Sequence, residues 1–457
     1  MIGLGKTGLA SVFALLHGKA KVIVWDDAFQ QFATTPDAAH DIVTLFCKAA
    51  LLKGDLVINP TDAVAINKLT KLLVSPGIPK DHHILQQAVA YGIPITSDIE
   101  MLQDTCIHAK YIAVTGTNGK STTTALIGEI LRVMDLPVEV GGNIGTPALA
   151  LSPLEQSGIY VLELSSFQLD LLTRNKFNVA VLLNITPDHL DRHGDFAAYR
   201  TAKTKIFEHQ TAADYAIISV DCPEACAIYN ALLASGPQRV LPISTSKLLS
   251  GGVSVIDNVL YDNINISSPK TFDLGVLERL PGKHNAENIA AAYTAVRCVS
   301  LNIEMIIEGI KAFQGLPHRM EPVLKIGGLR FINDSKATNA DAAKNGFTLY
   351  DNIYWIAGGI SKEEGIEPLQ PFFHKLKHVF LIGESTDRFA ETLEQYHIPH
   401  TKAGHLQGAL ELIKQGSIDD GIVLFSPACA SFDQWKNYEH RGDAFKKMVK
   451  EIWEHTD

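Results

Sequence analysis

One short stretch of the chain combines glycines, a lysine and a hydroxyl in an order that suits phosphate binding. The mostly apolar, strand-prone run Tyr111–Thr115 leads into Gly116, Gly119, Lys120 and Ser121, and a helix-compatible run follows. Backbone N–H groups at a helix start attract anions, a lysine supplies charge to outer phosphates, and a hydroxyl can ligate magnesium. The turn therefore predicts a phosphate cradle, and a glycine-rich turn with an exposed lysine is the alternative.

Three further side chains carry charges that are unusual for their surroundings in the sequence. Glu163 lies in an apolar, strand-prone run, where a buried carboxylate needs an ionic partner or a metal ion. The segment Thr186–Gly194 follows another such run and brings two histidines, including His189, together with two carboxylates. Lys203 shares the apolar face of the next helix, so it would point inward and need an anion or a charge-changing modification. A structural ion pair remains open for both Glu163 and Lys203, and a snorkelling side chain for Lys203.

Glycines elsewhere mark two more candidate binding loops. Gly3, Gly5 and Gly8 fit a nucleotide-binding pattern, with a helix, a strand and then Asp26 about 20 residues on. Tight packing of the helix on the strand, without any ligand, is the alternative for these glycines. Asn143 stands in a second glycine-rich loop, where it could bond a substrate oxygen or cap the turn.

Alternating apolar runs predict an α/β protein. Strand-prone and helix-compatible runs follow one another, and polar or glycine-rich loops come after the strands. Ligands bind outside the carboxyl ends of the strands in open sheets of this kind. The same rule selects the loops 333–339, 358–362 and 426–433 in the C-terminal part. Cys429 in the last loop has no base near it in sequence, so a small buried residue is expected there.

Length and composition limit the class of protein. The chain has 457 residues, of which 46% are hydrophobic and 20% charged, and its net charge is −10. This size predicts several domains, and the negative charge argues against nucleic-acid binding. No apolar run approaches the ~20 residues of a membrane helix. The scattered cysteines match neither a zinc pattern nor a disulfide framework, so a cytoplasmic protein is expected.

The motifs taken together resemble the Mur ligases, the ATP-dependent amide-forming enzymes of peptidoglycan synthesis. G-T-N-G-K-S-T at 116–122 and D-H-L-D-R-H at 188–193 are shared in similar form by the wider family. L-E-L-S-S-F-Q-L at 162–169, N-D-S-K-A-T-N at 333–339 and the run 426–442 are more specific to its D-glutamate-adding branch. The resemblance covers nearly the whole chain. It departs at the N-terminus, where the family usually has a full strand before the first glycines.

This resemblance implies three domains, each built on a mostly parallel sheet. A Rossmann-like N-terminal domain (1–98) would bind the UDP part of the substrate, and a P-loop-type central domain (99–314) would bind ATP. A Rossmann-like C-terminal domain (315–457) would bind the amino acid. The reaction would join D-glutamate to UDP-N-acetylmuramoyl-L-alanine through an acyl phosphate, with ATP and Mg²⁺. A monomer with no nucleic-acid or membrane partner is expected.

The resemblance also implies roles for individual residues. The catalytic residues would be Lys120, His189 and Lys203, and the metal ligands would be Ser121, Glu163, His189 and Lys203 as its carbamate. The ATP contacts would be Gly116, Thr117, Asn118, Gly119, Lys120, Ser121, Thr122, Asn288, Arg319 and Asp334. The contacts to the UDP substrate would be Gly5, Lys6, Thr7, Asp26, Ser75, Gly77 and Asn143. The D-glutamate contacts would be Lys336, Thr338, Lys362, Ser431, Phe432 and Tyr438.

Three other functions fit parts of the sequence. A ligase of the folylpolyglutamate type would lack the first domain and its glycine loop. A nicotinamide-dependent dehydrogenase would use that domain but would leave Lys120 and Ser121 without a role. A non-catalytic scaffold that kept the fold would have no need of Glu163, His189 and Lys203.

Overall fold

A computed structural model describes residues 1–27, 55–58, 66–277, 279–416 and 418–453. The chain forms two compact units, Met1–Val276 with Lys283–Phe313 and Leu277–Gly282 with Gln314–Asp457. The first unit contains an N-terminal and a central sheet, and the second contains the C-terminal sheet. The predicted α/β class with mostly parallel sheets is confirmed, whereas the boundaries at 98 and 314 stay predictions. Within the described ranges, no helix is long and apolar enough to cross a membrane.

The N-terminal sheet is parallel and leads into the first glycine loop. Ile2 forms parallel bridges with Trp25 on one side and Val74 on the other, so it occupies the place of the strand that the sequence nearly lacks. The strands are β1 (Lys21–Val24), β2 (Asp55–Ile58), β3 (Leu72–Leu73) and β4 (Ile95–Thr96), with helices α1 (Lys6–His17) and α2 (His83–Ala90). Asn59, which was predicted to end β2, lies outside the described residues.

The central sheet carries the phosphate-type turn. Among the described residues it has nine strands in the order β13-β12-β11-β10-β9-β8-β5-β7-β6, parallel from β5 to β11 and antiparallel at β12 and β13. The strands are β5 (Lys110–Thr115), β6 (Val138–Gly142), β7 (Ile159–Glu163), β8 (Val179–Leu182), β9 (Tyr215–Ser219), β10 (Arg239–Ser244), β11 (Val253–Ile256), β12 (Val259–Asp262) and β13 (Lys270–Asp273). The predicted hairpin turn at Asp257 and Asn258 is confirmed, because both residues have the positive φ that a tight hairpin turn requires.

Helices flank this sheet and place the loops of interest at the carboxyl ends of its strands. They are α3 (Asp98–Thr105), α4 (Lys120–Val133), α5 (Ser166–Leu171), α6 (Leu190–His193), α7 (Phe196–Thr204), α8 (Pro223–Ser235), α9 (Lys283–Arg297) and α10 (Ile303–Ala312). The apolar spacing around Lys203 predicts a helix over Phe196–His209, and the observed helix α7 is shorter. It ends at Thr204 and continues only as a 3-10 turn, Lys205–Phe207.

The C-terminal sheet has six strands among the described residues. Their order is β14-β15-β19-β16-β17-β18, and only β14 runs antiparallel to its neighbour. The strands are β14 (Glu321–Ile326), β15 (Gly328–Asn333), β16 (Ile353–Gly358), β17 (Leu376–Ile382), β18 (His400–Gly404) and β19 (Asp420–Phe425). The helices are α11 (Ala340–Leu349), α12 (Thr386–Gln395), α13 (Leu406–Gln415) and α14 (Tyr438–Trp453). Cys429 is fully buried beyond β19, as predicted, and burial raises the pKa of its thiol to about 12.

Candidate active site

A glycine with a left-handed backbone conformation ends the turn between β5 and α4. Gly119 precedes the helix with a φ of +85°, a conformation that side chains with a Cβ rarely adopt. A Cβ at this position would also lie 2.4 Å from Oδ1 of Asn288. Glycine is therefore required here twice, by the backbone and by its neighbour. The helix then begins at Lys120. The first N–H groups of an α-helix point away from its body, which is the usual arrangement of an anion site.

Two lysines converge on one carbonyl of this turn. Nζ of Lys120 donates to the carbonyls of Gly116 at 2.9 Å and Thr117 at 2.7 Å. Nζ of Lys203 donates to the same Gly116 carbonyl at 2.7 Å and lies 4.9 Å from the ring centroid of Tyr199. Lys203 is only 1% exposed. The prediction that its side chain points inward is confirmed.

The surroundings of Lys203 disfavour its charged form. Burial, followed by the charge of Lys120, lowers the pKa of Lys203 well below its ordinary value, and Asp188 and Glu163 oppose this only in part. A buried amine of this kind is neutral more often than a surface lysine at the same pH.

Glu163 ends β7 with one carboxylate oxygen unsatisfied. Its Oε1 accepts a hydrogen bond from Nδ2 of Asn143 at 2.9 Å. Its Oε2 is buried and has no hydrogen-bond partner among the described residues. An unpaired carboxylate oxygen in an apolar interior is costly, and a bound cation would satisfy it. Ser121 adds a buried hydroxyl at the first turn of α4. These oxygen donors fit a magnesium ion.

The remaining predicted metal ligand, His189, is more exposed. Its ring lies 5.0 Å from the ring of Phe167, and its Nε2 lies 3.5 Å from the Asp188 carboxylate. Over the part of the chain that the structure describes, no group of three or more His, Cys, Asp or Glu side chains is arranged to hold a metal ion. The predicted set contains only Glu163 and His189 of these types, so a carbamate on Lys203 would add the third acidic or imidazole ligand.

Asn184, which the sequence analysis did not select, and Asn288, which it did, hold the turn in place. Oδ1 of Asn184 accepts from the Asn118 N–H at 2.8 Å, and its Nδ2 donates to Glu287 at 2.9 Å. Asn288 accepts from the Thr123 hydroxyl at 3.1 Å. Asn184 follows β8, Asn118 lies in the turn itself, and the other partners lie in helices α4 and α9. Only the general expectation that polar residues at strand ends are functional could have indicated Asn184.

The N-terminal glycine loop is held by two predicted substrate contacts. The N–H of Leu4 donates to the Asp26 carboxylate at 2.5 Å, and the Ser75 hydroxyl donates to the Gly3 carbonyl at 3.1 Å. Both side chains therefore hold the loop in place, whatever else they contact. Lys6 and Gly77 are exposed, and Thr7 is partly exposed.

The glycines of this loop serve different purposes. A Cβ on Gly8 would lie 1.9 Å from the Gly3 carbonyl oxygen, so close packing alone requires glycine there. A Cβ on Gly5 would meet nothing within 4 Å. Space is therefore left above Gly5, which immediately precedes α1 and its helix dipole. Arg192 of the central domain donates to the Ile78 carbonyl at 2.6 Å, which ties the loop after β3 to the D-H-L-D-R-H segment.

In the second unit, the predicted amino-acid contacts lie on three loops and at the start of α14. Lys336 donates to the Tyr438 hydroxyl at 3.2 Å, and its Nζ lies 5.0 Å from that ring centroid. The loops after β16 and β19 are joined by two backbone hydrogen bonds between Ile360 and Ala430, at 3.0 and 2.9 Å. These loops carry the exposed Lys362, the buried Ser431 and Phe432, which is 71% exposed. Thr338 is partly exposed near Lys336 in sequence.

Two of the predicted nucleotide contacts also lie in this unit. Asp334 accepts from the Ser426 hydroxyl at 2.8 Å and from the Met320 N–H at 3.3 Å. Burial raises the pKa of Asp334 to about 7, although Ser426 and the charge of Arg319 act in the opposite direction. Nε of Arg319 is buried without a hydrogen-bond partner among the described residues. It therefore has capacity for a further acceptor.

The Gly119 geometry yields a first prediction. We expect Gly119→Ala to lower the free energy of unfolding by about 1–2 kcal/mol, from backbone strain, and to weaken triphosphate binding about tenfold or more because Asn288 must move. Gly251→Ala is the matched control, since Gly251 has a φ of +76° but no atom within 4 Å of an added Cβ. Denaturant unfolding and equilibrium ATP binding would test both variants. Equal ATP affinity for the two variants would contradict the role of the Asn288 contact.

Comparison with protein families matches two parts of the chain. A family described as "Mur ligase MurD-like, N-terminal domain" matches residues 1–97, and "Mur ligase middle domain" matches residues 114–296. Both matches include loops described above, the N-terminal glycine loop and the phosphate-type turn.

Curated relatives extend the similarity to nearly the full length. A UDP-N-acetylmuramoylalanine--D-glutamate ligase from Rhodospirillum rubrum is 42% identical over 99% of this chain and 94% of its own length. The protein of the same name from Rickettsia prowazekii is 40% identical over 99% and 98%. Among solved structures, UDP-N-acetylmuramate-alanine ligase from Thermotoga maritima aligns over 99% of this chain and 98% of its own, with a TM-score of 0.61 and 16% identity. This last likeness is one of fold.

Proposed function

The chain belongs to the Mur ligase family, and on that premise we propose that it is an ATP-dependent ligase that joins D-glutamate to UDP-N-acetylmuramoyl-L-alanine. The two relatives with this activity in their names match almost the whole chain at 40–42% identity. The site observation that carries the proposal is the phosphate turn with Lys120, beside which Glu163, at the end of the neighbouring strand β7, has a buried oxygen without a hydrogen-bond partner among the described residues. The charge of Lys120, together with a cation held by Glu163, would bring two anionic substrates together.

Each domain would hold one substrate. Residues 1–98 would bind the UDP substrate, with Gly5, Lys6 and Thr7 at the start of α1 near its diphosphate. Residues 99–314 would bind ATP, and residues 315–457 would bind D-glutamate. The lysines 336 and 362 suit a ligand with two carboxylates, because each supplies a positive charge. We further propose a monomer that works in the cytoplasm, where ATP is available.

The phosphate turn would prepare ATP for attack. The first N–H groups of α4 would donate hydrogen bonds to the outer phosphate oxygens. The ammonium of Lys120 would also donate to these oxygens, and it would lose its hydrogen bonds to the turn carbonyls. An oxygen of the substrate carboxylate then bonds to the γ-phosphorus, and the bond to the β-phosphate oxygen breaks, giving an acyl phosphate and ADP. The amino nitrogen of D-glutamate, in its unprotonated form, next attacks the acyl carbon. Phosphate leaves and the nitrogen loses a proton, which gives the amide.

Glu163, Ser121, His189 and Lys203 would supply the metal ligands. Magnesium bound there would neutralise charge on the transferring phosphoryl group. Lys203 suits a carbamate because its environment favours the neutral amine, the form that adds carbon dioxide and then loses a proton. A carbamate would replace a buried cation by a carboxylate-like anion with two oxygens. It would thereby supply the third anionic or imidazole ligand that the described residues lack.

The proposed reaction can be tested by phosphate release. We expect ATP-dependent release only when UDP-N-acetylmuramoyl-L-alanine and D-glutamate are both present. L-Glutamate, L-alanine and meso-diaminopimelate, each supplied in place of D-glutamate, should give rates near background. Release with another amino acid but not with D-glutamate would reassign the substrate. Phosphate release that requires neither UDP-N-acetylmuramoyl-L-alanine nor D-glutamate would indicate an ATPase without ligase activity.

A further inference from the structure

We infer that Glu287 is a positioning residue for the phosphate turn, and that it acts through the side-chain amide of Asn184. The inference rests on the proposed function, because it concerns how that ATP site is kept in shape. Neither residue belongs to the predicted set of ligands. They lie 103 positions apart in the sequence and meet at the base of the turn.

Asn184 forms hydrogen bonds to the turn with both its backbone and its side chain. Its carbonyl accepts from the Thr117 N–H at 2.8 Å. Its Oδ1 accepts from the Asn118 N–H at 2.8 Å, and its Nδ2 donates to the Asn118 carbonyl at 3.3 Å. The side chain therefore pairs with the donor and the acceptor of one peptide residue. This pairing fixes the backbone of the turn directly before Gly119 and Lys120.

These side-chain hydrogen bonds depend on the orientation of the Asn184 amide. The oxygen and nitrogen of an asparagine amide have similar shapes, so only the hydrogen-bonding partners choose between the two orientations. With the opposite orientation, the Asn184 NH₂ would face the Asn118 N–H, and two donors would oppose each other. Both oxygens of the Glu287 side chain accept hydrogen bonds, so Glu287 pairs with the NH₂ side of Asn184, at 2.9 Å. Glu287 thereby selects the orientation in which Oδ1 faces the turn.

Glu287 is itself held in place. Its second oxygen accepts from the buried Ser219 hydroxyl at 2.6 Å, and Glu287 lies near the start of α9, next to Asn288. Asn288 packs against Gly119, as described above. The start of α9 therefore supports the turn at two adjacent places, directly at Gly119 and through Asn184 at Asn118. The phosphate turn is thus supported by the helix that carries Asn288, a predicted ATP contact.

Shape-matched variants separate this role from general stability. We expect Glu287→Met to raise the Kd for ATP about tenfold while the Kd for AMP, which lacks the outer phosphates, changes less than about twofold. Glu287→Gln should stay close to wild type, because its Oε1 can accept from Asn184 and its NH₂ can donate to Ser219. Ser219→Ala is the matched control. It removes the other partner of Glu287 but leaves the contact to Asn184.

The positioning role of Glu287 can be tested by equilibrium binding of ATP and of AMP, together with denaturant unfolding of each variant. Asn184→Ala should also weaken ATP binding, and adding Glu287→Met to it should cost little more, because both act through one contact. Equal losses for ATP and AMP, or fully additive losses, would overturn the inference. These ATP-binding measurements require neither UDP-N-acetylmuramoyl-L-alanine nor D-glutamate. A wild-type chain that binds ATP but never uses D-glutamate would therefore overturn the proposed function alone.

Discussion

Replacement of Lys203 by alanine is expected to abolish ligase activity, with a loss of about a thousandfold or more. The side chain is buried beside the phosphate turn and donates to the Gly116 carbonyl at 2.7 Å. If it carries a carbamate, the variant loses an anionic metal ligand and not merely a cation. Acetate or propionate should then restore part of the rate, because a small carboxylate can enter the space left by the lysine. Steady-state phosphate release measured against carboxylate concentration is the test.

A lysine on the same segment provides the control. Lys205 lies two residues further on, and its Nζ donates to the Asp170 carbonyl at 2.9 Å. Lys205→Ala should retain activity within about a factor of two, with or without added acetate. Full activity of untreated Lys203→Ala would remove the proposed role. A folded but inactive Lys203→Ala that no carboxylate rescues would show that the lysine acts as an amine and not as a carbamate.

The inward direction of Lys203 could be predicted because helical spacing is local. Lys203 shares a face with Tyr199, Ile206 and Phe207, and that face packs against the central sheet. Glu163 was predictable for a similar reason, since a carboxylate in an apolar strand stands out without any knowledge of its partners. Both positions are buried in the structure.

Other features depend on contacts that no local pattern encodes. The apolar pattern predicts a helix that starts at Thr124. The helix begins earlier, at Lys120, because the left-handed Gly119 caps it although its first turn is polar. The strand β14 carries charged residues and was missed, since it is an antiparallel edge strand formed only by pairing with β15. The pair of Asn184 and Glu287 joins the end of a strand to a helix far along the chain. Only the folded structure brings the two residues together.

Glu163→Gln is expected to lower the activity without lowering the stability of the ligand-free protein. Oε2 of Glu163 is buried and unpaired among the described residues, so the charge is unfavourable unless a cation binds it. Glutamine keeps an oxygen for Asn143 but places an NH₂ where the cation would sit. Activity should fall about a hundredfold or more, and saturation should require more magnesium. The free energy of unfolding without ligands should not decrease.

Thermal unfolding with and without magnesium and ATP would show both effects in one experiment. Ligands that bind only the folded state raise its melting temperature, so wild type should gain stability when magnesium and ATP are added together. Glu163→Gln should gain much less. Glu155→Gln, which alters an exposed carboxylate before the same strand, should behave as wild type. A large loss of ligand-free stability in Glu163→Gln would mean that the carboxylate mainly supports the fold, because a charge held for a cation costs stability when the cation is absent.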